Sequence, residues 1–299
     1  MSLDLSALSA YTDENKMPLI RKAILGGKTL GLISLQPDIK TSAAINILEG
    51  SAVFQAGACG FNASGTTTLT QRLLTVKKIK QNEAICVDDL EAYWTQTMMK
   101  AGSFNEEIPF SQMYSEEKAA RSAKALEKLV WQGDTTGSGN LAMVDGLIKI
   151  IDAESSVVTG TTKALDAANI VDAVDEMVAA IPEDVLEAED LHLFMPMEKY
   201  KIYTKALRDA NLFHYGDFAD GDYLITIPGT NVKAIGVPGL NGTARIFLCE
   251  ASNLFAGTDL LNEQEEFKIF YADEADEVRV IQKFKIGFQV AFAERIVSN

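Results

Sequence analysis

Near its C-terminus the sequence alternates with a period of two. Phe284, Ile286, Phe288, Val290 and Phe292 fall on one side, and Lys283, Lys285 and Gln289 on the other. Successive side chains of a β-strand point to opposite faces, so this pattern writes one strongly apolar face that has to be covered. A strand this apolar belongs in a central sheet and cannot dangle. Any fold for this chain must therefore bring its end back into the core. Phe267, Ile269 and Tyr271 alternate in the same way, and Asp273-Glu274-Ala275-Asp276-Glu277 between the two runs reads as an acidic turn.

The rest of the chain divides by pattern. Residues 1–48 read as an arm with one short helix. Pro18 precedes Leu19, Ile20, Ala23 and Ile24 on one helical face, and Gly26-Gly27 ends it. Residues 50–85 are rich in Gly, Ala, Ser and Thr, with β-prone stretches near 51–56 and 66–80 around a glycine-rich 57–65. They read as a long hairpin or excursion whose apolar content is low, so it needs something outside itself to pack on. Over 112–131, Ala119, Ala123, Leu126 and Val130 share one face of a helix. Ser115 does not open a capping box, because Lys118 stands where Glu or Gln is wanted; Glu117 and Arg121 are spaced to pair. Residues 140–250 read as a mixed α/β unit. A helix holds Ile170, Val174, Met177 and Ile181, a strand covers 191–195, and a Pro196-started helix carries Tyr200, Tyr203 and Leu207. Short strands near 223–228, 232–237 and 244–249 follow, parted by Pro-Gly and Asn-Gly turns.

Charge and composition exclude several functions. The chain has 299 residues and a net charge of −15, unevenly placed: −1 over residues 1–150 and −14 over residues 151–299. Such acidity opposes ordinary nucleic-acid binding, which needs a basic face. At 47% hydrophobic residues the chain can bury a core. The start has neither a basic n-region nor an apolar h-region, and no apolar run is long enough to span a bilayer. Cys59, Cys86 and Cys249 are odd in number and far apart, which suggests neither a disulfide framework nor a zinc pair.

Catalytic motifs fail one by one. Gly26-Gly27-Lys28-Thr29 resembles the end of a phosphate loop, but Lys22 stands where its first glycine belongs. Gly137-Ser138-Gly139 follows a helix, not the strand that a dinucleotide fingerprint requires. The two histidines, His192 and His214, lack a catalytic setting, and no G-x-S-x-G, C-x-x-C or H-x-x-x-H spacing occurs. The acidic pairs Asp88-Asp89, Glu106-Glu107 and Glu183-Asp184 could bind a divalent cation, but adjacent residues point apart, so solvated charge is the default. What remains is an arm, a hairpin without its own core and a returning C-terminal strand. Extended elements that need outside contacts are features of an obligate assembly subunit.

The order of elements resembles the major capsid protein of tailed bacteriophages, the Hong Kong 97 type fold. Ala125-Leu126-Glu127-Lys128-Leu129-Val130-Trp131-Gln132-Gly133-Asp134 is similar to the end of that family's spine helix. Asp145-Gly146-Leu147-Ile148, the helix Asn169–Ile181, Leu193-Phe194-Met195-Pro196 running to Ala210, Ile235-Gly236-Val237-Pro238 and Phe292-Ala293-Glu294-Arg295-Ile296 continue the ordered match. The resemblance implies an α+β, Hong Kong 97-like capsid fold. It has an N-terminal arm (1–49), an extended loop (50–85), a peripheral domain of spine helix and long β-strands (86–137 and 258–299) and an axial domain (138–257).

The function implied is self-assembly into pentamers and hexamers of an icosahedral head shell. The shell encloses double-stranded DNA without sequence-specific binding, is assembled in the host cytoplasm with scaffolding and portal proteins, and involves no membrane, cofactor, metal or catalytic residue. Scaffolding is expected either as a separate protein or as an upstream piece absent here. Phe54, Phe61, Leu69, Leu73, Leu74, Lys77, Lys78 and Trp131 become candidates for contacts between subunits. Lys77, Lys78 and Lys80 are weak candidates for the covalent crosslink of some members, and none is assigned. Two other readings stand beside this one: an encapsulin-like nanocompartment shell, and a soluble α/β enzyme with an acidic metal site.

Overall fold

The computed structural model describes residues 18–19, 22–23, 26–50, 53–57, 64–86, 110–210, 223–259 and 266–299. Its first sheet is organised by the strand that the alternation announces. This strand, β12 (Glu277–Val290), pairs antiparallel with β4 (Lys77–Cys86) and β11 (Glu266–Ala272), and its last residues pair with β10 (Leu254–Thr258). A short parallel strand, β1 (Ser34–Gln36), extends the sheet beyond β10. Val278, Val280, Phe284, Ile286, Phe288 and Val290 are buried with Phe267 and Ile269. They share one core with Ala119, Leu126, Leu129 and Val130 of the 23-residue helix α1 (Phe110–Gln132). Gln282 interrupts the apolar face of β12, and its Oε1 accepts the Ser122 hydroxyl of α1 at 2.7 Å, which satisfies a polar group inside the core.

The second sheet runs β5-β13-β9-β6-β8-β7. Its strands are β5 (Val158–Thr159), β6 (Leu191–Pro196), β7 (Leu224–Thr226), β8 (Lys233–Val237), β9 (Phe247–Glu250) and β13 (Val297–Ser298). β6 is buried at every residue and reads as a nearly continuous apolar run, because both of its faces are covered. Leu191, Leu193 and Met195 join a cluster with α3 (Ile170–Ala179) and α4 (Met197–Asp209), while Phe194 joins the α1 core. Leu248 and Phe247 of β9 divide in the same way. The sheet thus separates two apolar layers.

At the junction with α1 the chain crosses itself at two glycines. A Cβ on Gly133 would lie 2.3 Å from the Val144 carbonyl oxygen, and one on Gly146 would lie 2.6 Å from the Gly133 nitrogen. Lys149, on the short helix α2 (Leu147–Asp152), clamps the crossing by donating to Asp134 at 2.7 Å and bridging Asp145 at 2.6 Å.

Several expectations hold, and several shift. Glu117 and Arg121 pair at 2.5 Å. Ser115 lies inside α1 and is buried, so no helix start falls there. Pro196 is the N-cap of α4, not its first residue. The last strand, β13, pairs with β9 and β5 of the second sheet. The long hairpin begins earlier than expected: its first strand is β2 (Ser42–Gly50), not 51–56, and it pairs with β3 (Thr67–Thr75) in a two-stranded sheet. The cause is the alternation of Ala43, Ile45 and Ile47, whose side chains pack below the hairpin.

Candidate assembly surfaces

The β2–β3 hairpin has two unlike faces. Its register pairs Ala43 with Leu74, Ile45 with Arg72 and Ile47 with Thr70 on one side. On that side Ile45, Ile47 and Leu74 are buried with Ile39, Val76 and Ala291. Arg72 reaches from this face to an ion pair with Glu154, just beyond α2. The opposite side pairs Ala44 with Leu73, Asn46 with Gln71 and Leu48 with Leu69. There Leu48 is 68% exposed, Leu69 75% and Leu73 59%, and the Gln71 amide donates to Asn46 at 2.8 Å. At the tip, Val53 is half exposed and Phe54 is 97% exposed. The chain's own core thus holds one face of the hairpin and leaves an apolar row uncovered on the other. Isolated exposed leucines are ordinary, but Leu48 and Leu69 are cross-strand neighbours and Leu73 lies further along the same uncovered face, a grouping of the kind that marks interaction surfaces.

The predicted contact residues divide accordingly. Phe54, Leu69 and Leu73 lie on the exposed surface, and Lys77 and Lys78 are exposed at the start of β4. Lys78 stands opposite Lys285, whose ammonium donates at 2.7 Å to the buried Asp259. Phe61 lies outside the described residues, as do His214 and the pairs Asp88-Asp89 and Glu106-Glu107. Leu74 and Trp131 are corrections: both are fully buried within the chain. Leu74 falls on the inner face because strand alternation puts it opposite to Leu73. Trp131 packs between Phe194 and Phe247, with ring centroids 5.3 and 5.6 Å away, and its indole N–H donates to the Thr29 hydroxyl at 2.7 Å. Sequence reading missed Leu48 and Val53. The alternation Ala43, Ile45, Ile47 carries the signal for Leu48, since it places the even-numbered residues on the other face.

Thr29, the last residue of the phosphate-loop look-alike, is tied to Glu127 by its backbone and hydroxyl. His192 is buried beside Phe194, with Nδ1 2.6 Å from the Asp190 carbonyl, and burial holds its imidazole below the usual histidine range. Glu183 and Asp184 are exposed on a 3₁₀ turn. Among the described residues no three His, Cys, Asp or Glu side chains come together to hold a metal ion, and no helix is long and apolar enough to cross a membrane.

With this geometry in view, known structures supply the comparison. A satellite phage P4 procapsid that includes the size determination (Sid) protein matches with a TM-score of 0.63 at 15% identity, over 94% of this chain and 90% of that one. The Gordonia phage Cozz structure matches at 0.60 and 11% identity, over 91% and 85%. A virus-like particle from Pyrococcus furiosus matches at 0.54 and 11% identity, over 95% and 97%. No family model and no curated protein sequence matches. The chain has a phage capsid-like fold. That class agrees with the Hong Kong 97 type resemblance of the sequence, and the likeness is one of fold.

Proposed function

We propose that this chain is a structural subunit of a phage head shell. It assembles into pentamers and hexamers of an icosahedral capsid around double-stranded DNA. The observation that carries the reading is the uncovered apolar row Leu48, Leu69 and Leu73 with Phe54 at the tip, on a hairpin whose other face is already packed. In this reading the hairpin is the distal part of an extended loop that lies across the α1-bearing layer of a neighbouring subunit. The β12 sheet with α1 forms the peripheral domain and the second sheet with α3 and α4 the axial domain. Each contact is modest, and many contacts per subunit add up. The working parts are interfaces and not a catalytic centre. The acidic stretch 151–222, with 16 acidic and 5 basic residues, supplies a lining that repels packaged phosphate. Scaffolding and portal proteins are the expected partners, with assembly in the host cytoplasm.

The test replaces Leu48, Leu69 and Leu73 together by Gln. The expected result is a folded chain, judged by circular dichroism, that no longer forms shells or rings. Unimpaired assembly of the triple variant contradicts the reading. An encapsulin-like nanocompartment is the second reading, favoured by the near end-to-end match to the Pyrococcus furiosus virus-like particle. Nucleic acid inside purified shells supports the phage head, and a packaged enzyme supports the compartment.

A further inference from the structure

Four of the five basic residues between 151 and 222 lie on one helix, α4: Lys199, Lys201, Lys205 and Arg208. Lys199 is half-buried and donates to the Leu165 carbonyl at 2.8 Å. Lys201, Lys205 and Arg208 are exposed, and their spacing of four and three puts them on one face of the helix. Tyr200, Tyr203 and Leu207 bury the other side. The stripe meets one acid on its own helix, Asp209, which pairs with Lys205 at 2.7 Å with both side chains largely in solvent, a contact of small weight.

A groove on the same layer has the opposite charge. Its walls are Val178 and Ile181 at the end of α3, Leu186, and the turn that ends at Val232. Asn231 knits the walls by donating to the Leu186 and Ala188 carbonyls at 3.1 and 2.7 Å. Ile181 and Val232 are buried, but Leu186 is 54% exposed. Around Leu186 in the chain stand Glu183, Asp184, Glu187 and Glu189, all exposed. Among the described residues no ion pair joins these four acids to a lysine or arginine. No Lys or Arg falls between 164 and 198, and Lys233, beside Val232, is half-buried.

We infer that these two surfaces meet between copies of the chain: the α4 stripe of one copy docks on the acidic turn and groove of the next. The inference rests on the shell reading and specifies one of its contacts. Charge complementarity selects the occupant, since three exposed cations on one patch answer four exposed carboxylates on the other. Lys and Arg carry long apolar stems, so the stripe covers Leu186 while its charged heads reach the surrounding acids. The two patches are different, so the contact is heterologous, and its repetition with a closing rotation makes a ring. Exposed charges of this kind fix orientation and exclude wrong partners more than they add affinity.

The test is charge exchange in the full chain. Sedimentation velocity reads the concentration at half-assembly, and electron microscopy reads rings. Lys201→Glu with Lys205→Glu and Arg208→Glu sets acid against acid. Glu183→Lys with Asp184→Lys and Glu187→Lys sets base against base. Either set is expected to raise the concentration at half-assembly by about tenfold or more. Both sets in one chain restore opposite charge at every contact and are expected to return assembly toward wild type, a rescue that damage to the fold cannot give. Wild-type assembly by either set alone, or a combined chain no better than the weaker set, overturns the inference and leaves the shell reading standing. A wild-type chain that never assembles overturns both. Should a triple exchange fail to fold by circular dichroism, Lys201→Glu, Glu187→Lys and their combination decide in the same way.

Discussion

Trp131 shows how one side chain can join three parts of the chain. Its indole lies against Phe194 of β6 and Phe247 of β9, and its N–H reaches Thr29 of the N-terminal segment. Removing it opens a cavity inside the core that α1 shares with β6 and β9. Trp131→Ala is expected to lower stability by about 3–5 kcal/mol, read as a reduced urea midpoint. At the glycine crossing, Asp134 accepts from Lys149 and then from the side chain and backbone of Thr136, which hold its carboxyl well below the usual range. Asp145 is lowered too, the Lys149 and Thr135 bonds outweighing its burial. Depressed carboxyls contribute stability that is present above their unfolded pKa and lost only as pH falls through the folded value. The clamp is therefore expected to persist through the ordinary carboxylate range and to open in stronger acid. Carboxyl chemical shifts of Asp134 that titrate at the ordinary value would contradict this.

At the scale of elements, the hairpin is where sequence and structure part most usefully. Leu69→Asp with Leu73→Asp places charge on the uncovered face only. Unfolding free energy of the monomer is expected to change by no more than about 0.5 kcal/mol per site, while association is lost in sedimentation velocity. A large loss of monomer stability would mean that this face is packed at home. The sequence located β12, α1, α3, β6 and α4 well, because each is long or strongly periodic, or is bounded by proline. It misjudged β2, where only Ala43, Ile45 and Ile47 mark the inner face and the alternation is short. It offered Trp131 and Leu74 as contact residues because hydrophobicity alone does not tell an inner face from an outer one. Register does: Leu73 and Leu74 are neighbours in sequence and opposite in fate. Glu127 was legible only as a lone acid at helical spacing on an apolar face.

For the whole molecule, the charge asymmetry and the fold combine into one account. The chain encloses two apolar layers about a sheet whose strand β6 is buried on both faces, and it leaves a third, apolar-faced hairpin half covered. A net charge of −14 over residues 151–299 opposes non-specific association and, on the proposed shell reading, would keep an inward-facing lining from adhering to phosphate. Neutralising about five acids within 151–222, outside the turn 183–189, is expected to leave assembly intact and to increase DNA retention by purified shells in low salt. Unchanged retention would count against an inward-facing acidic surface. The central claim, that the chain is built to be completed by copies of itself, is tested most directly by electron microscopy of the purified protein after size exclusion. The account predicts closed icosahedral shells or rings of five and six subunits. A compact monomer near 32.5 kDa that stays monomeric with scaffold and crowding agents would contradict it.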